Sequence, residues 1–227
     1  MPIPQLTAIS APQIGAVLET LSLVGTFVFA ASGALAAARL RLTLITFAFF
    51  ALVTGVGGGT VRDLLIGAPV FWVWDPVPAM VCMAAALLVW CTPRAMWSDR
   101  ALDWLDAIGL AAFAVFGAAK SLSVGVPPFV AGMMGVVTGC VGGVIRDLLA
   151  GEPSILLRPE LYVTAAALAS CLFVALRWLG LDLPVAAVIA ALLGFALRAL
   201  AIWRGIALPA YRERDMRSAP QPRDEAE

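Results

Sequence analysis

Long apolar stretches alternate along this chain with short charged turns. Each stretch is about 20 residues long, enough to cross a bilayer as a helix. No charged residue lies between Glu19 and Arg39, between Arg41 and Arg62, or between Asp75 and Arg94. Further apolar runs cover residues 105–124 (with Lys120), 127–145, 161–176 and 184–203 (with Arg198). The pattern predicts seven transmembrane helices. Arg39, Arg41, Arg94, Arg100, Arg158, Arg204, Arg212, Arg214, Arg217 and Arg223 then fall on one side, and only Lys120 and Arg177 on the other. The positive-inside rule places the N-terminus outside and the C-terminus in the cytoplasm. Trp72, Trp74, Trp97, Trp104 and Trp203 read as interfacial belt residues. No cleaved leader is expected, because the first apolar run is too long for one and no positive segment precedes it.

Composition agrees. Of 227 residues, 62% are hydrophobic and 13% charged, against roughly 25% charged in average soluble chains. Mean hydropathy is +0.95. The formal net charge is zero, which offers no electrostatic footprint for nucleic acid. There is no histidine, and Cys82, Cys91, Cys140 and Cys171 lack metal-ligand spacing, so neither a metal site nor a cofactor is expected.

One stretch occurs twice. "TGVGGGTVRDLLIGAP" fills residues 54–69 and "TGCVGGVIRDLLAGEP" fills 138–153. The offset that pairs Thr54 with Thr138 also pairs Gly25 with Gly109 and Gly33 with Gly117. This predicts an internal duplication: a three-helix repeat over 14–97, a second over 98–180, a seventh helix over 181–205 and a disordered cytoplasmic tail over 206–227. An odd number of helices per repeat requires the second copy to enter the membrane from the opposite side. Inverted repeats of this kind are a transport architecture, with matching broken helices meeting near the midplane.

The glycine clusters predict those breaks. Each glycine costs a helix about 1 kcal/mol relative to alanine. Gly55, Gly57, Gly58 and Gly59 are therefore expected to bend or unwind the second helix, and Gly139, Gly142 and Gly143 the fifth. Freed carbonyls within a bilayer need protein or water, and a watery path lined by carbonyl oxygens suits a cation. Thr54 and Thr138 would add hydroxyls. Close helix packing through small residues is the competing role for these glycines. Arg62-Asp63 and Arg146-Asp147 stand near the ends of the same helices. Adjacent helical residues point about 100° apart, so cross-pairing is expected, Arg62 with Asp147 and Arg146 with Asp63. Lys120 is the one lysine and is not duplicated, since Ala36 holds its place in the first repeat. A lysine in a span marks a functional site by default. This one is placed to donate to the carbonyls of a glycine kink. Arg198 reads as a cytoplasm-facing anchor.

Two soluble readings fail on detail. "GGGTVRDLLIG" is similar to the signature of tRNA nucleotidyltransferases, but no Asp-x-Asp pair follows to hold metal ions. A P-loop would need Gly-Lys-Ser/Thr. No nucleophile–base–metal constellation appears, so no catalysis is expected. "TFVFAASGALAA" at 26–37, together with the doubled motif, resembles the prokaryotic branch of the TRIC family, the trimeric intracellular cation channels. The resemblance spans residues 18–203. It implies a homotrimer in a prokaryotic plasma (inner) membrane among its lipids, with one pore per protomer. It also implies conduction of monovalent cations, chiefly potassium and secondarily sodium, past Gly57-Gly58-Gly59 and Gly142-Gly143, with Lys120 in the position of a gating lysine. Val141 replaces one glycine of the second cluster, which predicts a milder bend there. "TVRD" stands where animal members carry a basic phosphoinositide motif, so that ligand is not expected. A secondary transporter of a small solute such as an amino acid has the same inverted architecture, and it remains the alternative.

Overall fold

In the computed structural model, which describes residues 15–98, 100–157 and 161–207, the chain is all helical. Among the described residues eight α-helices follow in order: α1 (Ala16–Arg39), α2 (Leu44–Leu65), the single turn α3 (Phe71–Trp74), α4 (Val77–Cys91), α5 (Ala101–Ser123), α6 (Pro128–Ala150), α7 (Val163–Trp178) and α8 (Leu183–Arg204). Five of them, α1, α2, α5, α6 and α8, are long and apolar enough to cross a membrane. The apolar helices α4 and α7 have 15 and 16 residues, about 22–24 Å of helix. The proposed tail from residue 208 onward lies outside the described residues, as do Asp99, residues 158–160 and the first 14 residues.

The helices pack as two similar triplets. α1, α2 and α4 form one and α5, α6 and α7 the other; α1 against α5 and α2 against α6 join them, and α8 lies on α5 and α7. Small side chains make this closeness possible. Ala30, Ala31, Ala34 and Ala37 on α1 are almost wholly buried, as are Ala107, Ala114 and Ala118 on α5. In a membrane, small residues let helices gain close van der Waals packing where lipid removes the hydrophobic drive.

Contacts across the join recur with partners exchanged. Phe113 fills the notch at Gly25, where a methyl group would lie 2.7 Å from the ring; Phe29 fills the notch at Gly109, at 2.8 Å. The two rings stack with centroids 5.4 Å apart. Thr54 sits against Gly33 as Thr138 sits against Gly117. The order of these contacts makes α1 and α5 antiparallel neighbours.

Both glycine clusters lie inside unbroken α-helix, so the unwinding expected from sequence is absent here. The glycines serve a backbone crossing instead. A methyl on Gly142 would lie 2.7 Å from the Thr54 carbonyl oxygen, and one on Gly58 would strike the Thr138 carbonyl oxygen. Only glycine lets α2 and α6 approach this closely, and the packing gained offsets its poor helix propensity.

Candidate functional site

Each Arg-Asp pair sits at the C-terminal end of its helix and is buried. Arg62 and Asp63 are 0% exposed, Arg146 1% and Asp147 7%. The carboxylates are fixed by the chain that leaves the helix. Asp63 Oδ2 accepts the Phe71 N–H at 3.0 Å, and Asp147 Oδ2 accepts the Ile155 N–H at 2.7 Å. This shared bond follows from the duplicated turn after each helix.

The expected cross-pairing is not what forms. Arg62 Nε donates to Asp63 Oδ1 at 2.9 Å, with Nη2 at 2.8 Å. Arg146 Nε and Nη2 donate to Asp147 Oδ1 at 2.9 and 2.7 Å. The arginine stem is long enough to span the angular step between neighbours. With Oδ2 tied to the next segment, Oδ1 is left facing that stem. The rule against adjacent pairs holds for side chains that project straight from the helix.

Beyond this core the two clusters differ. Around Arg62, Lys120 Nζ donates to Asp63 Oδ2 at 2.9 Å, and the Phe71 ring centroid is 5.7 Å from that ammonium. The Arg62 guanidinium lies 5.1 Å from the Phe116 ring centroid, and its Nη1 has no hydrogen-bond acceptor among the described residues. Lys120 is thus bound to a carboxylate, not to glycine carbonyls. Its side chain is 16% exposed, so it stands at the edge of the cluster. Two cations face one carboxylate here.

Around Arg146 a second carboxylate enters, and with Arg198 nearby two cations meet two carboxylates. Nη1 donates to Asp106 Oδ1 at 2.7 Å and to Ser32 Oγ at 3.1 Å. Arg198 lies over the Tyr162 ring, 5.3 Å from its centroid. It is 0% exposed, which corrects its reading as a cytoplasmic anchor: α8 turns this residue onto the bundle. Gly143 leaves room for Tyr162 and Asp106, whose oxygens would lie 2.7 and 2.9 Å from an added methyl. Gly59 does the same for the Phe71 ring at 2.6 Å.

The structure therefore gathers eleven of the fourteen predicted site residues into three places. Thr54, Gly58, Thr138 and Gly142 meet at the α2–α6 crossing. Arg62, Asp63 and Lys120 form one charge cluster with Gly59 beneath it, and Arg146 and Asp147 form the other with Gly143. Gly55, Gly57 and Gly139 face Cys82, Ile145 and the Leu110 carbonyl respectively. Sequence reading missed Asp106, buried at 0%. Its signal was available: like Lys120, it is a charge whose repeat counterpart, Ser22, is uncharged. Ser32, Phe71, Phe116 and Tyr162 carried no such mark. The hydroxyls of Thr26 and Thr54 are fully buried and make no hydrogen bond among the described residues.

Comparisons with known proteins agree with the two-triplet fold. The family described as "Glycine transporter" matches twice, at residues 19–94 and 103–178, once per triplet. The chain is 43% identical over 150 residues to the UPF0126 inner membrane protein YadS of Escherichia coli K12, covering 64% of this chain and 72% of that one. It is 38% identical over 166 residues to the membrane protein YvgT of Bacillus subtilis, covering 71% and 81%. Among solved structures, a TRIC trimeric intracellular cation channel orthologue from Rhodobacter sphaeroides matches with TM-score 0.79 and 39% identity. That match covers 85% of this chain and all of the other.

Proposed function

This membrane protein belongs to the TRIC family, the one described as glycine transporter, and on that footing we propose that it is a potassium-permeable cation channel. The observation that carries the reading is the match in fold and sequence to a solved cation channel along that channel's whole length. The chain acts as a homotrimer with one pore per protomer, in the inner membrane of a prokaryote, its N-terminus outside. It crosses seven times, the short α4 and α7 included, as two inverted three-helix repeats. The exchanged contacts between the triplets favour that arrangement, since a two-fold axis makes each contact occur twice with partners swapped. The cation passes between α1, α2, α5 and α6, near the α2–α6 crossing. There Thr26 and Thr54 supply buried oxygens without protein partners, and bending at the glycines in the conducting state frees carbonyls to join them. Lys120 gates by binding and releasing Asp63.

The family's description favours a second reading, export or uptake of glycine. Bilayer recording of the purified protein under asymmetric potassium and sodium separates the two. A channel gives unitary currents whose reversal potential follows the potassium gradient, and Lys120→Ala changes open probability. Absence of current at every voltage, with saturable glycine flux into proteoliposomes, refutes the channel.

A further inference from the structure

One helix cap departs from its duplicate at an energetic cost. α1 closes with a turn in which the Arg41 N–H donates to the Ala38 carbonyl at 3.1 Å and the Leu42 N–H to the Ala37 carbonyl at 3.2 Å. This turn needs a left-handed residue, normally glycine. The same pair of bonds closes α2, α5, α6 and α7, and there the left-handed residues are Gly67, Gly125, Gly151 and Gly180. Arg41 has φ 55°, and among the described residues it is the one non-glycine with positive φ. Gly125 is its counterpart in the second triplet. A side chain in this conformation crowds its own backbone. Residues held this way gather at ligand clamps, and Arg39 already supplies the helix end with a favourable cation.

A second observation lies beside the first. Arg39 and Arg41 line a cavity of about 360 Å³ at the end of the bundle where α1 and α4 finish and α2 and α5 begin. Both arginines are exposed. Trp90 and Trp97 line the same cavity, and Trp97 is pinned by donating to Thr92 Oγ1 at 2.9 Å. Phe47 and Val89, 5% and 4% exposed, complete its apolar part. The volume falls within the usual range of small-molecule sites, about 300–1,000 Å³.

We propose that this cavity binds the headgroup region of an anionic phospholipid. The phosphate sits between the Arg39 and Arg41 guanidiniums, which suit phosphate oxygens. The glycerol and first acyl carbons run past Trp90 toward Phe47 and Val89, with the indoles at the interfacial depth they favour. A free phosphate would use the arginines and leave the apolar part uncovered, so a lipid fits the whole site. The inference does not depend on what the protein transports.

Thermal melting of the full chain in detergent, with native mass spectrometry of retained lipid, tests it. Phosphatidylglycerol should raise the melting temperature; phosphatidylcholine and inorganic phosphate at equal concentration should not. Arg41→Gly should by itself melt about 2 °C higher, because strain is relieved, and should bind phosphatidylglycerol about fivefold more weakly. Arg39→Gln should weaken that binding without the gain in stability. Unchanged phosphatidylglycerol binding in both variants overturns the proposal, as does equal stabilisation by phosphatidylcholine. An equal shift with inorganic phosphate alone overturns the lipid assignment. A lower melting temperature for Arg41→Gly removes the strain argument.

Discussion

Replacing Asp63 by Asn removes one charge from the α2 cluster and almost nothing else. Asn retains an oxygen for the Phe71 N–H, which now lies 3.0 Å from Oδ2, so the local backbone bond survives. What is lost is the counter-charge to Arg62, 2.8 Å away and fully buried, and to Lys120, 2.9 Å away. Breaking a buried ion pair by deleting one partner costs about 3–5 kcal/mol, because the other charge stays desolvated. Lys120 is 16% exposed and can turn toward the edge of the cluster, which places the expected loss near the lower end, about 3 kcal/mol. For a chain of this size that is a fall of roughly 6–12 °C in melting temperature. Lys120→Met alone should lose only about 1 kcal/mol, since Asp63 keeps Arg62 and the backbone donor. Adding Lys120→Met to Asp63→Asn removes one stranded cation, so the double variant should be more stable than additivity predicts by about 1 kcal/mol or more. Thermal melts of all four proteins in one detergent measure the cycle. Asp75→Asn serves as a control at an exposed position whose bond to Val77 N–H an amide oxygen can also accept. A melting temperature for Asp63→Asn as close to wild type as the control's, or strict additivity in the cycle, would refute the reasoning.

Three further expectations follow from the packing. Gly58→Ala drives a methyl into the backbone oxygen of Thr138 and should cost about 1–3 kcal/mol, whereas Gly57→Ala meets only the end of Ile145 at 3.0 Å and should be tolerated; equal melting temperatures would show that the α2–α6 crossing yields easily. Asp106→Asn takes from Arg146 a carboxylate 2.7 Å away and should lower stability by about 3 kcal/mol. Ser32→Ala, which removes a longer, uncharged acceptor at 3.1 Å, should cost about 1 kcal/mol, and the reverse ranking in thermal melts would count against the assigned network. Phe113→Ala empties the notch at Gly25 and ends the stacking with Phe29, for an expected loss of about 3–5 kcal/mol in denaturation experiments.

Much was legible along the chain because membrane helices announce themselves through continuous apolar length, and the duplication through identities at a fixed offset. The helical class, the matching of α2 with α6, and the concentration of glycine, threonine and Arg-Asp pairs on those two helices all came from sequence. The α2–α6 crossing was legible only in part. Glycine lowers helix propensity and also permits close approach, and the sequence cannot say which effect prevails until a partner backbone is in place; here the Thr54 and Thr138 carbonyls are that partner.

The pairing of charges was decided by tertiary structure alone. Arg62 and Asp63 read as poor neighbours because local geometry considers only the helix, yet the segment returning after α2 captures one carboxylate oxygen and turns the other onto its own arginine. Asp106 and Arg198, far apart in the chain, belong to one buried cluster only because α5 and α8 pack side by side, and Lys120 finds Asp63 because α5 lies near the end of α2. Period, length and repeat are properties of the chain's order, so sequence determined the helices and their duplication. A buried charge takes whatever partner the packing brings within about 3 Å, so which ions meet was settled only when the helices and the segments that follow them packed together.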